Sequence, residues 1–215
     1  MALTLKKIYE EVTTQAWSIF DSDISTLEDD DAGVISTIKK ALSELWNAYD
    51  YSFKLKFKNA SISAETNSIN KPIGKIDKIY LIEEDGEETE LINGSDGRIT
   101  KEVGYPREYY IKYNKIYFKP VPLEPCSIKI DYYTRYPVLN EKEEPQFNFE
   151  ELTDYVDIRE EYEDLFLKAL ITRTMAIYPH PNKLINETYQ VQAENAYKAL
   201  VEASDVNARG KCVVW

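Results

Sequence analysis

The sequence predicts an α+β protein: an α-helical bundle of two N-terminal and two C-terminal helices, with an inserted antiparallel β-domain of about six short strands. Apolar residues recur at spacings of three and four near both ends of the chain, which is typical of amphipathic helices. Between residues 51 and 139, aromatic or β-branched residues alternate with polar ones. Short runs containing Gly, Pro or Asn separate these segments, as expected for strands joined by turns.

Residues 1–50 predict the two N-terminal helices of the bundle. The first spans residues 3–20, and its apolar positions are Leu5, Ile8, Val12, Ala16 and Ile19. An acidic run at residues 27–31 ends this pattern, and an Asp is expected to cap the second helix. That helix is predicted from about Gly33 to Tyr49.

Residues 51–139 predict the β-domain. After Asp50 the apolar period changes to two, and one side of the first strand is predicted to be buried, with Tyr51, Phe53, Leu55 and Phe57. Residues 59–72 are small and polar and predict a loop. Hairpin strands are predicted around the turn at residues 84–87, and three more in residues 105–139, which carry an Asn114-Lys115 turn.

The C-terminal third predicts a linker, a helical hairpin and a tail. Residues 140–156 are acidic and irregular and are predicted to be a linker. Asp157 and Glu160 fit a capping box at the start of a helix that ends at residues 179–181, Pro-His-Pro. A last helix from about Leu184 to Ser204 completes the hairpin of residues 157–204 and the bundle, and residues 205–215 form the tail.

Composition narrows the classes of function. The chain has 215 residues with 26 basic and 38 acidic side chains, a net charge of −12, which repels phosphate backbones and argues against a conventional nucleic-acid binder. Neither a secretory leader nor a membrane span is indicated. The two cysteines, Cys126 and Cys212, lack CxxC spacing and are expected to be reduced thiols.

The sequence lacks the histidines and cysteines that several common enzymatic sites require. His180 is the single histidine and lies between two prolines, so it is interpreted as a turn residue. The chain therefore has too few histidines and cysteines to form a histidine-based triad, a Cys–His nucleophile or a common zinc site. No phosphate-binding glycine motif occurs. The sequence predicts no enzyme, no cofactor and no metal site.

Two alternatives of a different class stay open. A carboxylate-dependent glycan hydrolase needs only two acidic residues close in space. The acidic clusters at residues 29–31, 83–88, 141–144 and 160–164 are interpreted as solvated surface. A carbohydrate-binding module needs exposed aromatic rings, and Tyr109, Tyr113 and Tyr117 share one strand face by spacing. Core packing is the favoured interpretation of that face.

The C-terminal tail carries a candidate for partner binding. Val213, Val214 and Trp215 follow the Ala-Arg-Gly sequence of residues 208–210. A tryptophan in this position either packs into the protein's own core or anchors in a pocket of a partner. The sequence leaves both alternatives open.

Several segments resemble the head-to-tail adaptor proteins of tailed bacteriophages, which form rings beneath the portal in short-tailed phages. They are residues 42–46 (LSELW), 76–82 (IDKIYLI), 109–122 (YYIKYNKIYFKPVP) and 131–139 (DYYTRYPVL), and the closing helical pair. The composition, rich in Lys, Asn, Tyr and Ile, is typical of an AT-rich genome and suggests a crAss-like phage.

The resemblance implies assembly rather than chemistry. It implies a structural protein of the virion neck, assembled in the host cytoplasm, with about twelve copies in a ring around a DNA-wide channel. The implied partners are the portal protein, a tail or next ring protein, and other copies of the chain. DNA passes through without specific binding during ejection, and no membrane is involved. The resemblance assigns the docking to the portal to Val213, Val214 and Trp215 of this chain. An alternative is another tail or neck completion or fibre-attachment protein.

Overall fold

The computed structural model describes residues 2–15, 33–94, 102–178 and 183–209, with the side chains of 183 and 206–209 left out. Within these residues the fold is mixed α+β, with four α-helices and several antiparallel sheets. The helices are α1 (Leu5–Gln15), α2 (Val34–Ala48), α3 (Glu163–Ile177) and α4 (Lys183–Arg209). Among the described helices, none combines the length and apolar character that a membrane span requires.

The described residues contain thirteen short strands. They are β1 (Leu55–Ile62), β2 (Ser68–Asn70), β3 (Gly74–Ile82), β4 (Glu88–Glu90), β5 (Ile92–Asn93), β6 (Val103–Gly104), β7 (Glu108–Lys112), β8 (Lys115–Lys119), β9 (Val121–Pro122), β10 (Cys126–Thr134), β11 (Val138–Leu139), β12 (Pro145–Gln146) and β13 (Tyr155–Val156).

The chain divides into two compact units. Met1–Lys54 and Arg135–Trp215 make up one of them, and Leu55–Thr134 make up the other. The first contains α1 to α4 with β11 to β13 and is called the helical unit here. The second contains β1 to β10 and is called the β unit.

The apolar faces of the helices meet in one core in the helical unit. Helix α3 contacts the other three helices. It buries residues on more than one side, from Phe166 to Met175, which is expected of a central helix. The stripe predicted for α2 is buried at Val34, Ile38 and Leu42. Helix α1 is described as far as Gln15, and residues 16–20 of the predicted first helix lie outside the described residues.

The exit of the chain from α2 differs from the prediction. Ser52–Lys54 forms a short 3₁₀ helix, and the predicted strand begins only at Leu55. Tyr51 and Phe53 are buried in the helical core, whereas Phe57 is 69% exposed. The predicted common buried face was therefore wrong. The alternation of residues 51–57 continues across the boundary between two units with separate cores.

Lys54 is nearly buried and closes the C-terminal end of α2. Its side chain is 5% exposed, and its Nζ donates to the carbonyls of Trp46 at 2.9 Å and Tyr49 at 2.8 Å. The last carbonyls of a helix have no intrahelical donor and carry the negative end of the helix dipole. The ammonium group therefore satisfies groups that burial would otherwise leave without partners.

Residues 140–156, predicted as an acidic linker, are folded into the helical unit. β11 pairs with β12 on one side and β13 on the other, both antiparallel. Phe149 is buried in the helical core, and Thr4 forms an isolated bridge with Tyr155. Strands of two residues leave no periodicity in a sequence, which explains the incorrect prediction.

The two predicted helix caps have different outcomes. Gly33 precedes α2 with a φ of 69° and has no side chain that could cap this end, and the acidic residues 27–31 predicted to supply the cap lie outside the described residues. The predicted capping box of Asp157 and Glu160 is not formed, because Glu160–Tyr162 is a 3₁₀ helix and α3 starts at Glu163 without a side-chain cap. Helix α4 continues past Ser204 to Arg209, so residues 205–209 of the predicted tail are helical.

The β unit contains two four-stranded sheets and one strand pair. The first sheet has the order β1-β10-β3-β4 and is antiparallel throughout. The second has the order β2-β8-β7-β5. The β5–β7 and β6–β9 pairs are parallel, a departure from the predicted antiparallel domain. β2 and the last part of β1 lie inside residues 59–72, predicted as a loop.

Both four-stranded sheets contribute to one apolar cluster in the β unit. Its buried members are Ile62, Ile79, Leu81, Leu91, Tyr109, Ile116, Phe118, Ile128 and Ile130. The cluster contains no residue of the helical core. Each unit therefore has an apolar core of its own, which is the property that defines a domain.

Candidate interaction surfaces

The tail residues to which the resemblance assigns portal docking, Val213, Val214 and Trp215, lie outside the described residues. The same holds for His180, Cys212 and the acidic residues 29–31. The described candidates for a binding surface lie on the β7–β8 hairpin, in a cleft of the β unit, on the first sheet and between the helices.

The aromatic hairpin does not place Tyr109, Tyr113 and Tyr117 on the common face that the carbohydrate-binding alternative requires. Its turn falls at Tyr113 and Asn114, so Tyr109 and Tyr117 lie on different strands. Tyr109 pairs with Phe118 and is 4% exposed in the β core. Tyr117 lies on the opposite face, where its ring stacks on Tyr110 at 5.0 Å. The prediction that residues 109, 113 and 117 share one face was wrong, because the turn reverses the chain.

A cleft of about 770 Å³ lies in the β unit beside the turn between β3 and β4. Its apolar wall comes from Pro106, Pro122, Pro125, Tyr105 and Leu123. Its acidic residues are Glu83, Glu84, Asp85 and Glu124, and none of the described residues that line it is basic. A hydrogen bond with Glu83 is the main cause that raises the pKa of Tyr105 to about 12. Tyr105 is therefore a neutral phenol at physiological pH.

Three of the four carboxylates that line the described part of the cleft are exposed to water. A glycosidase pair needs one carboxylic acid that retains its proton, which an apolar enclosure provides. The side chains of Glu84, Asp85 and Glu124 are instead exposed to water. Among the described residues, no group of three or more His, Cys, Asp or Glu side chains is placed to hold a metal ion. The acidic rim and proline wall are complementary to a positively charged segment with apolar side chains.

One side of the first sheet carries a charged network. Lys129 forms an ion pair with Glu88 at 2.9 Å, and its Nζ lies 5.4 Å from the ring centroid of Tyr80. Lys78 forms a second ion pair with Glu90 at 2.8 Å. Asp131 lies two residues after Lys129 on β10, and burial is the main cause that raises its pKa. Both glutamates of β4 are therefore partly balanced by lysines of their own sheet.

A smaller pocket of about 220 Å³ lies between α2, α3 and α4. The small side chains of Ala48, Ala169 and Ala193 line this pocket and leave its space unfilled. At its rim, Arg173 donates to Oε2 of Glu44 through Nε at 2.9 Å and Nη2 at 2.6 Å. This ion pair joins residues 129 positions apart in sequence, so no local pattern predicts it.

Comparison of the chain with models of known protein families gives no match, and comparison with curated proteins gives none either. The functional interpretation therefore depends on the residues described above and on the resemblance of the sequence segments.

Proposed function

We propose that the protein is a structural virion protein, a head-to-tail adaptor of a short-tailed phage. About twelve copies form a ring beneath the portal, join the capsid vertex to the tail and line the DNA channel. The chain has no catalytic role in this proposal, and its function is assembly.

The observation that carries the proposal is the division of the chain. Helices from both ends of the sequence belong to one unit, and the chain leaves that unit after Lys54 and returns at Arg135. The intervening residues form the β unit. This order supports the arrangement that the resemblance implies, a helical bundle with an inserted β-domain.

The net charge of −12 per copy fits a channel through which DNA must pass. A ring of such copies repels the phosphate backbone, so DNA travels through it without adhesion. The portal is the partner on one side of the ring, and a tail or next ring protein is the partner on the other. The ring belongs to the neck of the virion and is assembled in the host cytoplasm.

The native mass of the purified chain tests this function. Mass photometry of the chain, alone and mixed with the portal protein of the same genome, is expected to show about twelve copies bound per portal. A chain that stays monomeric and ignores the portal contradicts the proposal. Uptake of one or a few copies per portal instead favours another neck or fibre-attachment protein.

Removal of Val213, Val214 and Trp215 tests the docking role of the tail. The truncated chain is expected to bind the portal at least about tenfold more weakly, because buried aromatic anchors dominate many interfaces. Pull-down by the portal protein measures the loss. The matched control is Tyr113→Ala, which removes an 86% exposed ring from the β7–β8 turn. Equal binding by the truncated and control chains contradicts docking through the tail.

A further inference from the structure

The two outer strands of the first sheet carry opposite charges. Within the described residues, β1 and β4 are the outermost strands of the β1-β10-β3-β4 order. β1 contains Lys56 and Lys58 and no acidic residue. β4 contains Glu88 and Glu90, and Glu87 precedes it. One sheet therefore ends in a basic strand on one side and an acidic strand on the other, where Glu88 and Glu90 are paired with lysines of the same sheet and Glu87 is not.

The directions of the strands allow copies of the chain to join edge to edge. All three strand pairs of this sheet are antiparallel, so β1 and β4 run in opposite directions. When two copies lie side by side in the same orientation, β4 of one copy meets β1 of the next as an antiparallel pair. Such an interface joins two different surfaces and repeats from copy to copy until a ring closes.

Charge selects this pairing over the pairing of like edges. Two β1 edges bring lysines together, and two β4 edges bring glutamates together, and like charges across a strand pair are destabilising. The β4–β1 pair instead brings opposite charges together. The unwanted pairings are thus penalised while the wanted one is favoured, which is how specific interfaces discriminate.

Lys58 and Glu87 are the side chains best placed to meet. The registers of the three strand pairs place Lys58 on the same side of the sheet as Thr89. Glu87 lies two residues before Thr89 and therefore projects to that side as well. Neither Lys58 nor Glu87 forms an ion pair with another described residue. Each edge thus offers a charge for a neighbouring copy.

Phe57 adds an apolar contact to the basic edge. It lies between the two lysines of β1 and is 69% exposed. The unpaired backbone groups of an outer strand can pair with another strand, and an exposed apolar side chain on that strand adds to the tendency. An added strand shields this ring from water, which favours association.

We propose that neighbouring copies of this chain pair β4 of one copy with β1 of the next, and so continue the first sheet from copy to copy. This proposal rests on the ring of the proposed function and names the surfaces through which the ring closes. The binding partner of each sheet edge is therefore a second copy of the chain, which the opposite charges of the two edges select.

Charge reversal at the two edges tests the pairing. We compare Lys58→Glu, Glu87→Lys and the double variant that carries both changes, by mass photometry with and without the portal protein. Each single variant places like charges in every interface and is expected to weaken ring formation by about tenfold or more. The double variant restores an opposite pair in every interface and is expected to return ring formation to within about threefold of the unaltered chain.

The matched control is Lys115→Glu, which makes the same charge change at an exposed position of β8. It is expected to leave ring formation unchanged. Rings that persist in both single variants overturn the edge pairing while the adaptor function stands. Failure of the double variant to recover also overturns the pairing, provided that its circular dichroism matches the unaltered chain. If the unaltered chain forms no ring with or without the portal, the proposed function itself falls.

Discussion

Replacement of Phe53 by alanine is expected to lower the free energy of unfolding of the helical unit by about 3–5 kcal/mol. Phe53 is 1% exposed and is surrounded by aromatic rings. Its ring centroid lies 4.8 Å from that of Tyr51, 5.2 Å from Tyr162, 5.7 Å from Trp46 and 5.9 Å from Phe166. The alanine variant loses the buried surface of the ring and leaves a cavity that four rigid rings cannot easily fill.

Phe57→Ala is the matched control for this substitution. It removes the same side chain four residues later, from a position that is 69% exposed on β1. Its effect on the free energy of unfolding is expected to stay within about 0.5 kcal/mol. Urea unfolding followed by far-UV circular dichroism measures both variants. Similar midpoints for Phe53→Ala and Phe57→Ala would mean that the two residues do not belong to separate environments.

These two residues also show how far local patterns predict the fold. The alternation of residues 51–57 correctly predicts a strand from Leu55 onward. It cannot show that Tyr51 and Phe53, which precede the strand, face one core while Ile62, at the end of the strand, faces another. A pattern of period two gives the direction of a side chain relative to its own strand, and the partner that covers it depends on tertiary structure.

The helices were easier to predict than the strand pairing. Stripes such as Val34, Ile38 and Leu42 fix which side of a helix is buried, because the helical period is a local property. The order β1-β10-β3-β4 joins residues 55–62 to residues 126–134, and nothing local signals that contact. The opposite charges of the two sheet edges become visible only when this order is known.

The ends of helices and strands were predicted least well, because they too depend on contacts that a local pattern does not show. A capping box was expected at Asp157 and Glu160, but a 3₁₀ turn precedes α3 and shifts its start to Glu163. Similarly, the acidic character of residues 140–156 predicted a linker. Several polar residues of this segment form hydrogen bonds with its backbone, as Asn140 does when its Oδ1 accepts from the amides of Lys142 and Glu144.

Asp154 provides the second large expected effect, because it organises this same segment from inside the helical unit. It is 1% exposed, and its Oδ2 accepts from the backbone amides of Glu150 at 2.6 Å and Glu151 at 2.8 Å. The side-chain amide of Gln146, oriented to donate, lies 3.0 Å from the same oxygen. The backbone carbonyl of Asp154 accepts from Leu5 at 3.0 Å, which ties the start of α1 to this turn.

Asp154→Ala is expected to lower the free energy of unfolding by about 2–4 kcal/mol, because it leaves two backbone donors without their acceptor. Asp154→Asn keeps an acceptor oxygen at the same place and is expected to cost about half as much. Glu151→Ala is the control, since the side chain of Glu151 is exposed while its backbone amide is retained. Urea unfolding of the three variants decides the role of this carboxylate. If Asp154→Ala unfolds at the same urea concentration as Glu151→Ala, the carboxylate does not hold the segment. The short strands β11 to β13 are then held by other contacts, such as the burial of Val138, Phe149 and Val156.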